Sequence, residues 1–405
     1  MIPRHRPPFG VGRVILAMLN CSKTVNVEQV ESKFVEALKV PYAVLLPSAR
    51  AGICWALKTA IEPGTKVICP VYTCNVVHEA VVRAGGQLHL IDTQENDFLM
   101  EQATLSSAQM GNYATVLCEI YGYTYDLSAI MKKTENTPLV RIIDMAMTVP
   151  DSELTKRLQD NDIGFLSFGI GKCMYSGWGG MCFTKNKALA NEVRKIRDLS
   201  LTQNNLLVFF KRSLNILLRT LAHEQVLYGF SRKVKDIEVH VKRRNQYKKK
   251  NDCMLRWKSG EHLSPEWFVP STCLDRNLIC YNLKRAEYYY NRRISLASRY
   301  RHNLEGVAGL ILPEVSDFPL SHYTIRVNTG IRCCLREYLW KQGIDIGMLF
   351  SFPKYVSKDD HPNASKIAAE VVNLPLDPCL SFDDVDWICE NLTKFSKKGR
   401  ADKKL

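Results

Sequence analysis

The sequence predicts an α/β fold: a large domain over residues 1–200 on a mostly parallel sheet flanked by helices, and a smaller C-terminal α+β domain over 263–395. Two observations carry this expectation. From residue 27 to about 200, short apolar runs alternate with segments of helical period, and turn-forming residues stand between them. At 405 residues and 46% hydrophobic, the chain can also bury such a core without disulfide or metal staples.

The elements follow in order. Asn26 caps a helix to Leu38, with Val27, Val30, Phe34, Val35 and Leu38 on one face. Ala43 to Leu46 reads as a strand and Ala51 to Ala60 as a helix, ended by the turn Glu62-Pro63-Gly64. Val67 to Cys69 is a second strand, Asn75 to Ala84 a helix closed by Gly85-Gly86, and Leu88 to Ile91 a third strand. The pattern repeats through Ala114 to Cys118, Leu127 to Lys133, Val140 to Ile143 and Gly164 to Phe168. Residues 201–262 then read as an amphipathic and basic insertion, Leu- and Phe-rich over 206–230, with eleven Lys and Arg in 232–258. After Pro270 the chain is helical through Arg301, and strand-like segments lie near Leu310 and at Tyr323 to Val327. Helices over Cys333 to Gln342 and Ser381 to Phe395 precede a basic tail, 396–405.

With 55 Lys and Arg against 41 Asp and Glu, the formal charge is +14. The excess lies in the insertion and the tail, without a recognised nucleic-acid motif, so nucleic acid is set aside as a partner. The fourteen cysteines show no paired metal spacing, and no metal site is expected; they read as reduced, mostly buried thiols. The apolar run Val14 to Leu19 is too short for a targeting segment and lacks a cleavage pattern, and no stretch reaches the roughly 18 apolar residues of a membrane span. The expectation is a cytoplasmic protein that meets a membrane only at its inner surface. On a helical wheel Lys211, Arg212, Asn215, Arg219 and His223 share one narrow face, whereas Leu206, Phe209, Phe210, Leu214, Leu217 and Leu221 spread over a wide apolar one. Either that apolar face packs on the protein's own core or a second subunit, or 206–258 docks on an anionic membrane.

Three segments could carry chemistry. In Ser167-Phe168-Gly169-Ile170-Gly171-Lys172, a lysine follows a strand in a glycine-rich turn, where it is either a desolvated nucleophilic amine or an exposed loop residue. Arg141-Ile142-Ile143-Asp144 is an apolar strand ending in a carboxylate, at the edge where open α/β sheets place ligands; a capping role explains it equally. Leu46-Pro47-Ser48-Ala49-Arg50 leads a strand into a helix N-terminus, an anion site or an ordinary serine cap.

Taken together and in this order, the three resemble the fold-type I pyridoxal-phosphate enzymes, specifically the DegT/StrS-like sugar aminotransferases. The similarity runs along most of the chain, through 41–64, 67–92, LCEIYGYTYDLSAI (117–130), IIDMAM (142–147), SFGIGKCMYSGWGG (167–180), GIDIG (343–347) and 363–381. It implies that Lys172 holds pyridoxal 5'-phosphate as an internal Schiff base and shuttles the substrate proton, and that Asp144 keeps the pyridine nitrogen protonated. It also implies that Ser167 and the turn Ser48-Ala49-Arg50 hold the phosphate, and that the protein is a homodimer with sites at its interface.

The chain departs from the family pattern in several places. The residue expected to stack on the cofactor is Cys74, so either Tyr72 supplies the ring or a thiol contact replaces it. Met147 stands where the family has a Gln, and has no donor for the cofactor's phenolic oxygen. Arg50 replaces a small hydroxyl residue, Leu349-Phe350-Ser351-Phe352-Pro353 lacks the usual Tyr and His, and the family's Asn-x-Arg loop has no counterpart. The resemblance implies amino transfer from glutamate or glutamine to a keto-sugar, nucleotide-linked, in glycan or polysaccharide biosynthesis. Lys172 stands where dehydrating relatives carry His. A PLP-dependent dehydratase and a catalytically weak PLP-binding scaffold are the alternatives.

Overall fold

The computed structural model describes residues 1–23, 25–102, 111–132, 137–202, 206–234, 267–314 and 318–401. Most of the basic run over 232–258 and the end of the tail, 402–405, lie outside the described residues.

Helix α1 (Val11–Leu19) precedes α2 (Val27–Leu38), whose start is fixed by a capping box: the Gln29 N–H donates to the Asn26 side chain and the Asn26 N–H to that of Gln29. Then come β1 (Tyr42–Leu46), α3 (Ala49–Ala60), β2 (Lys66–Pro70), α4 (Asn75–Arg83), β3 (Gln87–Ile91) and β4 (Tyr113–Cys118). They are followed by α5 (Leu127–Lys132), β5 (Arg141–Asp144), α6 (Ser152–Lys156), β6 (Asp162–Ser167), β7 (Gly180–Thr184) and α7 (Lys187–Ser200). The seven strands form one sheet in the order β1-β7-β6-β5-β4-β2-β3. Strands β2 to β6 pair parallel, and β7 runs antiparallel to both β6 and β1. The carboxyl ends of β1, β2, β4, β5 and β6 therefore meet along one edge. Helix α3 packs on the sheet at Gly52, where an added Cβ would lie 2.3 Å from Leu46 and 2.6 Å from the Phe165 ring.

Helix α8 (Leu206–Ala222) packs against α1 and is followed by α9 (225–234), and α10 (Cys273–Leu283) packs against α1 and α2. Beyond them lie α11 (Ala286–Leu304), β8 (Leu310–Ile311), β9 (Tyr323–Val327), α12 (Arg332–Lys341), α13 (Pro362–Glu370), β10 (Val371–Leu374) and α14 (Phe382–Ala401). Here a three-stranded antiparallel sheet, β10-β9-β8, buries Leu296, Tyr300, Ile325, Leu335, Val372 and Ile388 in a separate core. The N-terminal arm is stitched across: the Ile2 N–H donates to the Gly343 carbonyl at 2.7 Å, and the Met1 ammonium to that of Gln225.

Three features differ from the sequence reading. The helical stretch after Pro270 is broken at Lys284-Arg285, and its first half contributes Leu274, Leu278 and Ile279 to the clusters around α1 and α2, not to the small core. Strand β7 goes unread because its apolar run, Met181 to Phe183, is buried on both faces and follows a glycine-rich loop, so it has no alternation to show. The tail is helical through Ala401, as a continuation of α14.

Candidate active site at the carboxyl edge of the sheet

Strands β5 and β6 are locked side by side at their start, where Arg141 Nη2 donates to Asp162 Oδ2 at 2.9 Å in a buried pair. At their other ends they deliver Asp144 and the loop bearing Lys172. The Ala146 N–H donates to Asp144 Oδ1 at 3.0 Å, and Oδ2 accepts no hydrogen bond from a described residue. Burial raises the carboxyl's pKa, while the charge of Lys172 and the Ala146 N–H act to lower it. The two loops are tied together by Cys173, whose thiol donates to the Met147 carbonyl at 3.2 Å. That contact gives the buried Met147 a structural part through its backbone.

The first turn of α3 supplies an anion cradle. Ser48 is its N-cap, accepting from the Ala51 N–H at 3.2 Å, which leaves the Ala49 and Arg50 N–H groups without intrahelical acceptors. Gly180 closes on this turn so tightly that an added Cβ would lie 2.5 Å from the Ala49 nitrogen. Ser48 bridges to Gly179, and Ser167 pairs with Gly180 across β6 and β7, so Ser48, Ala49 and Ser167 gather at one spot. Ser167 Oγ accepts from the Gly169 N–H at 3.4 Å. The half-buried Arg50 side chain has no hydrogen bond or ion pair to a described residue.

Tyr72 is fully buried, with its hydroxyl 2.8 Å from that of Tyr121; the two hydroxyls lie 3.3 and 3.1 Å from the Leu349 carbonyl, so two protons are shared among three contacts. Phe98 and Phe350 pack on it, the first stacked and the second edge-on. The Tyr72 ring has no accessible surface in this structure, so of the two alternatives for the stacking position the packing favours the thiol of Cys74. Cys74, the N-cap of α4, keeps a partly accessible side chain without a capping bond. Leu349 and Phe350 of the 349–353 segment thus close an aromatic wall, Phe350 with a left-handed backbone (φ 60°).

Sequence reasoning missed four groups. Glu119 follows β4, and its N–H donates to the Asp144 carbonyl at 3.0 Å. Its buried carboxylate lies 2.6 Å from Arg157 Nη2, an ion pair without hydrogen-bond alignment, and burial pushes it up to about 7 against the pull of Arg157. The signal was a polar residue ending an apolar strand, as at Asp144. His322 is pushed down to about 3 by burial, then by Arg293, Lys172 and Arg4. His5, on the N-terminal arm, is lowered by burial and by His223, His322 and Arg293. Imidazoles lowered by burial thus gather with the Arg293 guanidinium, close enough to Lys172 for its charge to act on His322.

The residues present fit pyridoxal 5'-phosphate. A buried carboxylate with one oxygen uncommitted suits the ring nitrogen, the α3 turn suits a phosphate, and Lys172 supplies an amine whose charge is felt at Asp144.

Comparison with known proteins agrees with this arrangement. The model of the DegT/DnrJ/EryC1/StrS aminotransferase family matches residues 17–243 and 276–393. The spore coat polysaccharide biosynthesis protein SpsC of Bacillus subtilis (strain 168) is 26% identical over 389 residues, covering 91% of this chain and 89% of SpsC. The GDP-perosamine synthase of Escherichia coli O157:H7 is 21% identical over 385 residues, covering 92% of this chain and 91% of its own. Among solved structures, the sugar aminotransferase CalS13 of Micromonospora echinospora superposes with a TM-score of 0.69 at 17% identity, over 97% of this chain and all of that one. NtdA of Bacillus subtilis with bound PMP reaches 0.68 at 18% identity, over 98% and 86% of the two chains.

Proposed function

The chain belongs to the DegT/DnrJ/EryC1/StrS aminotransferase family and is a pyridoxal-phosphate-dependent aminotransferase; on that premise we propose that it moves an amino group from glutamate or glutamine to a nucleotide-linked keto-sugar in glycan or polysaccharide biosynthesis. A sugar acceptor is supported by the names of the relatives, a polysaccharide biosynthesis protein and a perosamine synthase. The observation that carries the chemistry is the delivery of Asp144 and Lys172 by neighbouring parallel strands, close enough for the lysine's charge to act on the carboxyl.

The cofactor, when bound, supplies the electron sink that lets a proton leave the carbon bearing the amino group. Asp144 holds a proton on the ring nitrogen, in a site where burial strengthens the interaction. Lys172 Nζ would hold the cofactor and supply the base that carries the substrate's proton. Ser48, Ala49 and Ser167 would hold the phosphate, Arg50 would add charge beside it, and Cys74 would take the stacking position. A homodimer working in the cytoplasm is part of this proposal and rests on the resemblance to the family alone.

Two measurements test this reading. Adding glutamate or glutamine to the loaded protein, without acceptor, should convert the bound cofactor to its amine form, seen as a change in absorbance. Borohydride reduction of the resting protein followed by peptide mapping should label Lys172. Label on a different lysine, or no response to any amino donor, would overturn the proposal.

A further inference from the structure

Nineteen large apolar side chains are exposed among the described residues, and twelve of them fall in α1, α8 and α9. Helices α1 and α8 pack together, and α9 follows α8 across a two-residue turn. Single exposed leucines need no explanation, but a concentration of this kind does.

Helix α8 has three faces. Ser213, Ile216 and Thr220 are buried against the protein. Lys211, Arg212, Asn215 and Arg219 line a cavity of about 350 Å³ with Trp178 and Ile170, beside the Lys172 loop. Arg212 is held there by the Pro270 carbonyl, the Asp275 carboxylate at 3.2 Å and the Trp178 ring. The third face turns Leu207, Phe210, Leu214 and Leu218 to solvent in one helical stripe, with Leu207 75% and Phe210 62% exposed. An ordinary surface helix turns its polar residues outward, whereas here Arg212, Ser213 and Thr220 face the protein and a stripe of apolar side chains faces out. Of the apolar residues that the sequence puts on one face, Phe209 and Leu217 pack against the cluster of Phe9, Val14 and Leu278, whereas Leu206, Phe210 and Leu214 are exposed. Helix α9 repeats the arrangement: Tyr228 is buried and donates to Asp345 Oδ2 at 2.6 Å, while Val226, Leu227, Phe230 and Val234 are exposed. Helix α1 adds Ile15, Leu16 and Leu19.

Charge selects what covers this surface. Residues 206–258 hold fourteen Lys and Arg against four Asp and Glu, and 396–405 hold five against one. These two segments account for the whole excess of +14, so the rest of the chain is neutral. A second copy meeting this face about a two-fold axis would bring like charges together, Lys211 and Lys233 of each copy among them. An anionic bilayer offers the opposite charge together with an apolar layer just beneath it.

We propose that α1, α8 and α9 form a docking surface for an anionic membrane, with the leucine stripe of α8 lying along the headgroup boundary. The helix is then shared between two tasks, its outer face in the lipid and its inner face in the wall of the cavity beside Lys172. Docking of this kind holds the active-site loop at the membrane surface, and it stands independently of the amino donor or the sugar.

Co-sedimentation of the full chain with phosphatidylcholine vesicles, with and without phosphatidylglycerol, tests it. Binding is expected only to the anionic set, weakening as salt is raised from ~0.05 to ~0.5 M. The exposed pair Phe210→Ser and Leu214→Ser should lower partitioning at least about tenfold, with helical content unchanged. Lys233→Glu, at the exposed end of α9, should lower it about fivefold or more without touching the apolar stripe. Absence of salt-sensitive binding, or full binding by both variants, would overturn the proposal. So would a serine variant that halves the solution mass and still binds vesicles, because a second copy would then cover the face.

Discussion

The two walls of the active site are built by different means. The sheet-edge wall takes Asp144, Ser167, Ser48 and Lys172 from strand ends or from turns within a few residues of them. The other wall takes Leu349 and Phe350, His322 and His5 from segments far apart in the chain, and burial lowers the pKa of both histidines. A ladder of backbone hydrogen bonds fixes the first wall wherever the sheet forms. The second wall exists only where two cores and the N-terminal arm pack together. Chemistry common to many substrates belongs on the first, and discrimination between substrates belongs on the second.

The sharpest break in that comparison is Asp144→Asn. The amide keeps the shape and can still accept the Ala146 N–H, but it cannot hold a positive ring nitrogen. Turnover should fall by roughly 10³-fold while circular dichroism and part of the cofactor occupancy survive. Near-normal turnover would mean that the sheet edge does not supply the acid, and the contrast between the walls would fail.

Glu119 sharpens the comparison through pH. Its folded-state value of about 7 lies above the ordinary value of 4.5, so the folded chain holds a proton that the unfolded chain has already released in that window. Stability from this group is therefore greatest at low pH and declines as pH rises from about 4.5 to about 7, by up to about 3 kcal/mol. Glu119→Gln should flatten the melting temperature across that range. Asp377, pushed up to about 6 by burial, would leave a smaller decline in place. Equal slopes in the two proteins would show that Arg157 holds Glu119 ionised throughout, making it a fixed charge beside Asp144.

The first wall was legible in the sequence because each of its groups ends a local pattern. Ile142 and Ile143 announce a strand, and Asp144 is where the apolar run stops. Ser48 stands where a strand gives way to a helix, and the glycines around Lys172 mark a turn. Glu119 carried the same mark at the end of β4, but its meaning depended on Arg157, thirty-eight positions later and ion-paired to it only in the folded chain. His5 and His322 carried no mark, since nothing local distinguishes a histidine beside a lysine from one in solvent. Tyr72 shows the converse, because its place next to the expected stacking position suggested one of two alternatives, and the packing of Phe98 and Phe350 on its ring favours the other. The wheel of α8 divided polar from apolar residues, yet a wheel does not say which side meets the protein. That depended on Asp275 and Pro270, which receive Arg212 from another part of the chain.

The smallest expected effect lies at the joint between the walls. Tyr121 stands directly after the β4 edge, with a left-handed backbone (φ 59°) that costs a bulky residue about 1–2 kcal/mol and that the surrounding packing sustains. Its ring meets Phe98 at 4.9 Å and Phe350 at 5.6 Å, and its hydroxyl joins Tyr72 to the Leu349 carbonyl. Tyr121→Phe keeps the backbone and the ring contacts and removes only the hydroxyl. Leu349 still accepts from Tyr72 at 3.3 Å, so no buried group is orphaned, and the stability loss should be only about 1 kcal/mol. If the second wall governs substrate fit, a looser Leu349 should raise KM for the sugar about two- to fivefold with kcat nearly unchanged. A fall in kcat with KM constant would place Tyr121 among the groups that serve the chemical step, and the division of labour between the walls would have to be redrawn.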